Sequence, residues 1–160
     1  MKKLFVDMDG VLADFDKRWE QLFGCKPKDG FNKTFWKRFC ESEQFETLDG
    51  FPGYKDLVKY LEEVDQLPGV SVSILGSTGG YDYHGITQDQ KLKWLRTQGI
   101  LFPAIFVPGK RFKRYHATSS SMLIDDHPEN CSEFILHGGH SHQYIEPIAA
   151  IKAIDTFIHS

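Results

Sequence analysis

No apolar run in these 160 residues approaches the roughly 18 that a membrane-spanning helix requires. Internal repeats and low-complexity tracts are also missing. Cysteine is scarce: Cys25, Cys40 and Cys131 lie far apart, form no CxxC pair and are odd in number. That excludes a disulfide framework and makes a reducing compartment, the cytoplasm, the expected location. Neither sign of charge dominates, with 19 Lys and Arg against 22 Asp and Glu and a net charge of −3. Bulk binding to nucleic acid or to a membrane surface is therefore not expected. The opening MKKLFVDMDG reaches an acid at Asp7, too early for the apolar stretch of a signal peptide. Aromatic residues are abundant: 13 Phe, 6 Tyr and 3 Trp, many of them between Phe15 and Phe51. A hydrophobic share of 41% and a charged share of 26% suit one globular domain, or a domain with a small insertion.

Short apolar runs bounded by polar residues or Gly read as buried strands. Four are present: Leu4-Phe5-Val6, Val70 to Leu75, Ala104 to Val107, and Met122 to Ile124. Between them lie helical patterns. Leu57, Val58, Leu61 and Val64 recur at helical spacing within Pro52 to Gln66, and Pro68-Gly69 stops that helix. Ile86, Leu92 and Leu95 mark a helix over Thr87 to Gln98, closed by Gly99. Pro128 to Leu136 and Pro147 to Ile158 complete the set. This alternation predicts an α/β fold with a Rossmann-like parallel sheet. Residues 14–50 break the rhythm: they contain no clear strand, but have helical pieces at Phe15 to Phe23 and Phe31 to Cys40. They read as a small helical insertion after the first strand, leaving 1–13 and 51–160 as the core. The aromatics of the insertion either pack it onto the core or, in part, line a pocket for a flat ligand.

Two acidic pairs sit at strand ends. Asp7 and Asp9 follow the first apolar run, with Gly10 permitting a sharp turn, and Asp125-Asp126 follow the last. In a parallel sheet, ligands bind beyond the carboxyl ends of the strands. If the two strands are neighbours, several carboxylates converge, which is costly without a cation. An all-oxygen ligand set favours a hard ion, with Mg²⁺ the natural candidate. Blander readings remain: Asp126 as a helix N-cap before His127-Pro128, and Asp9-Gly10 as turn chemistry. His137-Gly138-Gly139-His140-Ser141-His142 could imitate a transition-metal site, but no acid or Cys adjoins it, and it reads as a loop.

The run Asp7-Met8-Asp9-Gly10-Val11-Leu12-Ala13-Asp14-Phe15 resembles the first motif of the haloacid dehalogenase-like phosphohydrolases. More narrowly it resembles the 5'(3')-deoxyribonucleotidases. Leu123-Ile124-Asp125-Asp126 is similar to the fourth motif, and Phe45-x-x-Leu48 with Pro52-Gly53 to the segment before the second strand. The resemblance implies that Asp7 is a nucleophile forming an aspartyl-phosphate and Asp9 a general acid/base. It further implies Mg²⁺ on Asp7, the Asp9 carbonyl and Asp126, with Asp125 as a supporting carboxylate. The second motif calls for a Thr or Ser at the end of the second strand. Ungapped comparison puts Gly76 there, so either the strand is shifted by one or Ser77, with Thr78 second, binds phosphate beside the amides of this Gly-rich loop. The third motif calls for a Lys. Lys113 stands four before Ala117, as in the family, with Lys110 the runner-up.

What the resemblance implies is a Mg²⁺-dependent phosphomonoesterase, with the insertion as a cap whose aromatics suit a nucleobase. The expected partner is a small phosphomonoester, foremost a deoxyribonucleotide. The alternatives are a sugar phosphate, a nucleic-acid end, or a metal-binding interaction module without turnover, the last suggested by Gly76. Neither a membrane nor bulk nucleic acid is an expected partner, and a homodimer is left open.

Overall fold

A computed structural model describes residues 1–160. Five parallel strands form one sheet: β1 (Lys2–Val6), β2 (Val70–Ser77), β3 (Ala104–Val107), β4 (Ser121–Asp125) and β5 (His140–Gln143), in the order β3-β2-β1-β4-β5. The central strand is β1, whose Leu4 and Val6 are fully buried. Each such side chain contributes about 1.5–3 kcal/mol by leaving water. Strand order reverses at β1, so the crevice for a ligand opens past the carboxyl ends of β1 and its neighbours.

The helices are α1 (Phe15–Phe23), α2 (Pro27–Gly30), α3 (Lys33–Glu41), α4 (Tyr54–Asp65), α5 (His84–Thr97), α6 (Pro128–Leu136) and α7 (Pro147–Ile158). Their boundaries follow local chemistry. Asp14 caps α1 by accepting from Lys17 N, Gly24 ends it in the left-handed region, Asn32 caps α3, and Glu146 caps α7 with Pro147 behind it. No helix is long and apolar enough to cross a membrane.

One strand departs from expectation. His140–Gln143 is β5, not a loop, in register with Met122 to Asp125 of β4. It pairs on one side only, so its polar side chains stay partly in water and leave no apolar run to read. The basic stretch Lys110–His116 is a 3-10 helix, and a second 3-10 turn spans Gln44–Thr47.

The segment entering α1 and the segment leaving the helical insertion run side by side. Asp14 N donates to Asp49 O and Phe51 N donates to Leu12 O. Trp19, Phe39 and Phe45 of the insertion are fully buried, and Phe15 stacks on Phe45 at 5.7 Å. Most of the aromatic surplus therefore builds a core shared with the sheet domain. The face of α5 seals this joint with buried side chains. Gln90 Nε2 donates to Cys40 O at 2.6 Å while its Oε1 accepts from Phe45 N, and Trp94 Nε1 donates to Leu48 O at 2.7 Å.

Candidate active site

Asp7 leaves the end of β1 and Asp125 ends β4, adjacent parallel strands whose register pairs Val6 with Ile124. Tertiary pairing thus brings the two acidic clusters together. One carboxylate oxygen each from Asp7, Asp125 and Asp126 lies within 4.8 Å of the others. Gly10 makes this approach geometrically feasible. Its φ is +80°, and a Cβ there would fall 2.1 Å from Asp126 Oδ2.

The three acids are not equivalent. Asp125, fully buried, is saturated: Oδ2 accepts from Lys113 Nζ at 2.8 Å and Asn130 Nδ2 at 3.1 Å, and Oδ1 from His127 N at 2.8 Å. Asp7 Oδ1 accepts from Met8 N at 2.9 Å and Lys113 Nζ at 2.7 Å. The residue at the α6 cap position is His127, so Asp126 is not the N-cap, and its carboxyl group faces that of Asp7. Burial pushes the Asp7 carboxyl well up, and the Asp125 charge adds to this while Lys113 opposes it. Asp126 is pushed up to about 7, by burial first and then by Asp125. Crowded oxygens that include those of Asp7 and Asp126, two acids that resist ionising, are a donor set suited to a hard divalent cation, which would relieve both burial and repulsion. Asp7 and Asp126 have oxygens to offer such an ion. Asp125 is occupied in holding Lys113.

Lys113 points inward from the 3-10 helix, only 2% exposed, and bridges Asp7 and Asp125. These two anions hold its ammonium charged, raising its pKa against the opposing effect of burial. Lys110, three residues earlier, is turned outward and pairs with Glu129 at 3.2 Å on the surface.

Gly76 lies inside β2, where a Cβ would meet the Phe106 ring at 2.9 Å, and the strand continues to Ser77. The hydroxyl at the strand end is therefore that of Ser77, shifted by one from the ungapped alignment. It accepts from Gly79 N at 3.2 Å. Thr78 is placed otherwise: it is fully buried, its hydroxyl 2.6 Å from His84 Nδ1 and 3.3 Å from the Val107 carbonyl. It serves the loop and is not free to face a ligand.

Asp9 brings in a residue that the sequence pattern did not single out. Lys91, 1% exposed on α5, places Nζ 2.7 Å from Asp9 Oδ2 and 2.7 Å from the Ser77 carbonyl. The Phe45 ring lies 4.7 Å from the same ammonium. Asp9 Oδ1 is buried without a partner. One oxygen of this carboxylate is fixed by Lys91, and the other has no partner in the protein. Lys91 sits mid-helix among polar residues, so only its burial distinguishes it. Asn130 escaped notice likewise.

No family model matches this chain, and no curated protein matches it. Solved structures do. A hydrolase from Streptococcus pneumoniae superposes with a TM-score of 0.58 at 16% identity, covering 97% of this chain and 100% of that one. A protein from Corynebacterium glutamicum gives 0.52 at 16% identity over 99% and 96%, respectively. The D,D-heptose 1,7-bisphosphate phosphatase of Burkholderia thailandensis gives 0.51 at 13% identity, over 87% of this chain and 75% of that one. The likeness is one of fold: a parallel α/β sheet flanked by helices, shared over nearly the whole of this chain.

Proposed function

We propose that the protein is a Mg²⁺-dependent phosphomonoesterase of the haloacid dehalogenase-like type. Its substrates would be small phosphomonoesters, foremost deoxyribonucleoside monophosphates. The observation that carries this reading is the convergence of Asp7, Asp125 and Asp126 within 4.8 Å, with Lys113 bridging the first two. Asp7, Asp126 and the Asp9 carbonyl would hold the ion, which when bound offsets phosphate charge so that one anion can approach another.

Asp7 attacks phosphorus with a carboxylate oxygen, and the bond from phosphorus to the ester oxygen breaks. Asp9 gives its proton to the departing alkoxide, which leaves as an alcohol. Asp9 then takes a proton from water, whose oxygen attacks the same phosphorus. The acyl phosphate bond breaks, returning Asp7 and inorganic phosphate. Splitting one displacement into two lowers each barrier, and a general acid/base contributes roughly 10²–10⁴-fold. Lys113 and the Ser77 hydroxyl, with the amides of its loop, stabilise charge on the transferring group.

Residues 14–50 act as a cap over this centre. Support comes from Trp36, which packs on the phosphate loop so closely that a Cβ on Gly79 would lie 2.5 Å from its ring. A half-buried indole over that loop offers a face to a nucleobase. The strand-end Ser77 favours turnover over an inert metal-binding module. Three unpaired cysteines favour the cytoplasm.

Phosphate release from p-nitrophenyl phosphate and from a panel of nucleoside and sugar monophosphates, with Mg²⁺ and after chelation, tests the proposal. Asp7→Asn should abolish release while leaving the circular dichroism spectrum unchanged. Normal turnover in that variant would remove Asp7 from the reaction.

A further inference from the structure

An aromatic surface that the hydrolysis of a small ester does not use starts at Tyr81, beside the Ser77–Gly80 loop, and extends to Tyr115, whose ring lies 6.4 Å from that of His137 at the end of α6. Tyr81 follows the Ser77–Gly80 loop and is 72% exposed; Tyr115 lies two residues after Lys113 and is 64% exposed. Phe112 joins them, its ring centroid 6.2 Å from Tyr81 and 6.1 Å from Tyr115. Phe112 is anchored below on the smaller apolar cluster of the sheet. The three rings thus form a continuous row beginning beside the phosphate loop and running along the helix that supplies Lys113.

Cations are interleaved with the rings. The Arg111 guanidinium lies 4.9 Å from the Phe112 ring and forms no ion pair. That of Arg114 lies 5.3 Å from the Tyr115 ring, with Glu133 as its partner at 3.0 Å. Lys110 shares the surface, paired with Glu129. Large exposed rings in contact with each other are an expense in water unless a ligand covers them. Rings alternating with guanidinium groups match single-stranded nucleic acid, whose bases stack on aromatic faces while its phosphates meet the cations.

We propose that the row formed by Tyr81, Phe112 and Tyr115, with Arg111, binds the nucleotides next to a terminal phosphate, so that the protein accepts the phosphorylated end of a single-stranded oligonucleotide. This rests on the phosphomonoesterase reading and extends it from the mononucleotide to the strand end. The terminal phosphate enters between Lys113 and Ser77, and the following bases lie on Tyr81 and Tyr115. With two exposed rings, the gain in affinity saturates after about two further nucleotides. With one unpaired cation in the row, the salt dependence is shallow, with a slope near one.

The test compares wild type with the double variant Arg111→Ala/Tyr115→Ala on dTMP and on oligothymidylates of two to six residues carrying a 5'- or a 3'-phosphate. Both substituted side chains are surface ones, so the fold persists. For wild type, KM falls by about thirtyfold or more from the mononucleotide to the trinucleotide and then levels off. The double variant loses that gain and keeps wild-type kcat/KM on dTMP. Equal KM at every length in wild type, or an unchanged trinucleotide KM in the variant, overturns the proposal. Fluorescence anisotropy of a labelled, phosphorylated hexanucleotide on Asp7→Asn protein, with and without the double substitution, provides a readout independent of turnover. If wild type releases no phosphate from any substrate but Asp7→Asn protein binds the hexanucleotide through the row, the hydrolytic reading fails while the binding surface stands. No binding in that assay overturns the surface.

Discussion

Lys91 Nζ lies 2.7 Å from Asp9 Oδ2, across 82 positions of sequence, and the same ammonium contacts the carbonyl of Ser77. One buried cation thus ties the proposed acid/base to the proposed phosphate loop. Lys91→Met preserves the bulk of the side chain but frees both partners. We expect kcat on p-nitrophenyl phosphate to fall by about ten- to a hundredfold, part of the roughly 10²–10⁴ that acid/base catalysis supplies. The fall should lie in kcat, because Asp9 loses its only ion pair. A fall confined to KM would place Lys91 in binding instead.

Lys113 and Lys110 separate the inward from the outward cation of the same 3-10 helix. Lys113→Ala leaves Asp7 and Asp125 buried without their counter-ion, a loss in the range of about 3–5 kcal/mol for breaking a buried pair. Lys110→Ala breaks a surface pair with Glu129 and costs less than about 1 kcal/mol. Urea midpoints and phosphate release should both show this asymmetry. Equal mild effects would contradict the assignment of Lys113.

The crowded carboxyls set the sign of a pH effect. Asp126 holds its proton up to about 7 in the folded protein, against about 3.9 when unfolded. The unfolded chain therefore releases that proton first, and metal-free stability declines as pH rises from about 4 to about 7. Asp7, raised by the same burial, acts in the same direction. His116 and His142, whose burial lowers their pKa, act in the opposite sense below about 6.5. The Asp126 share is thus read as the difference between wild type and Asp126→Asn. In chelator, the substitution should raise the melting temperature at pH 7.5 more than at pH 5. In Mg²⁺, the wild type should gain stability and the variant should gain little. A variant less stable than wild type in chelator at pH 7.5 would argue against the repulsion.

The joint between α5 and the insertion predicts that the proposed cap stays in place. Gln90 and Trp94 donate to Cys40 O and Leu48 O from buried positions. Hydrogen exchange of the Phe45 amide, which donates to Gln90 Oε1, should be as slow as that of the β1 amides. Gln90→Ala leaves two backbone groups unpaired, at about 1–3 kcal/mol each, and should accelerate exchange across Gln44–Thr47 selectively. Fast exchange in wild type would instead indicate a mobile lid.

Patterns short enough to be local were legible in the sequence. The apolar runs of β1 and β3 and the bounds of α6 and α7 follow from hydrophobic spacing, Pro placement and caps. Asp7, Asp9, Asp125 and Asp126 stand out because acids directly after a buried run have few purely structural uses. The polar edge strand β5 was not legible, since its stability comes from pairing with β4 and not from its own side chains. The place of Gly76 was decided by the Phe106 ring across the sheet, which left the hydroxyl to Ser77. The roles of Lys91 and Asn130 came only with folding, because a charge or amide in a helix acquires a partner through burial and distance, and neither is written in the order of residues. Local chemistry chose the acids that meet at the strand ends. The tertiary contacts chose which cations meet them there.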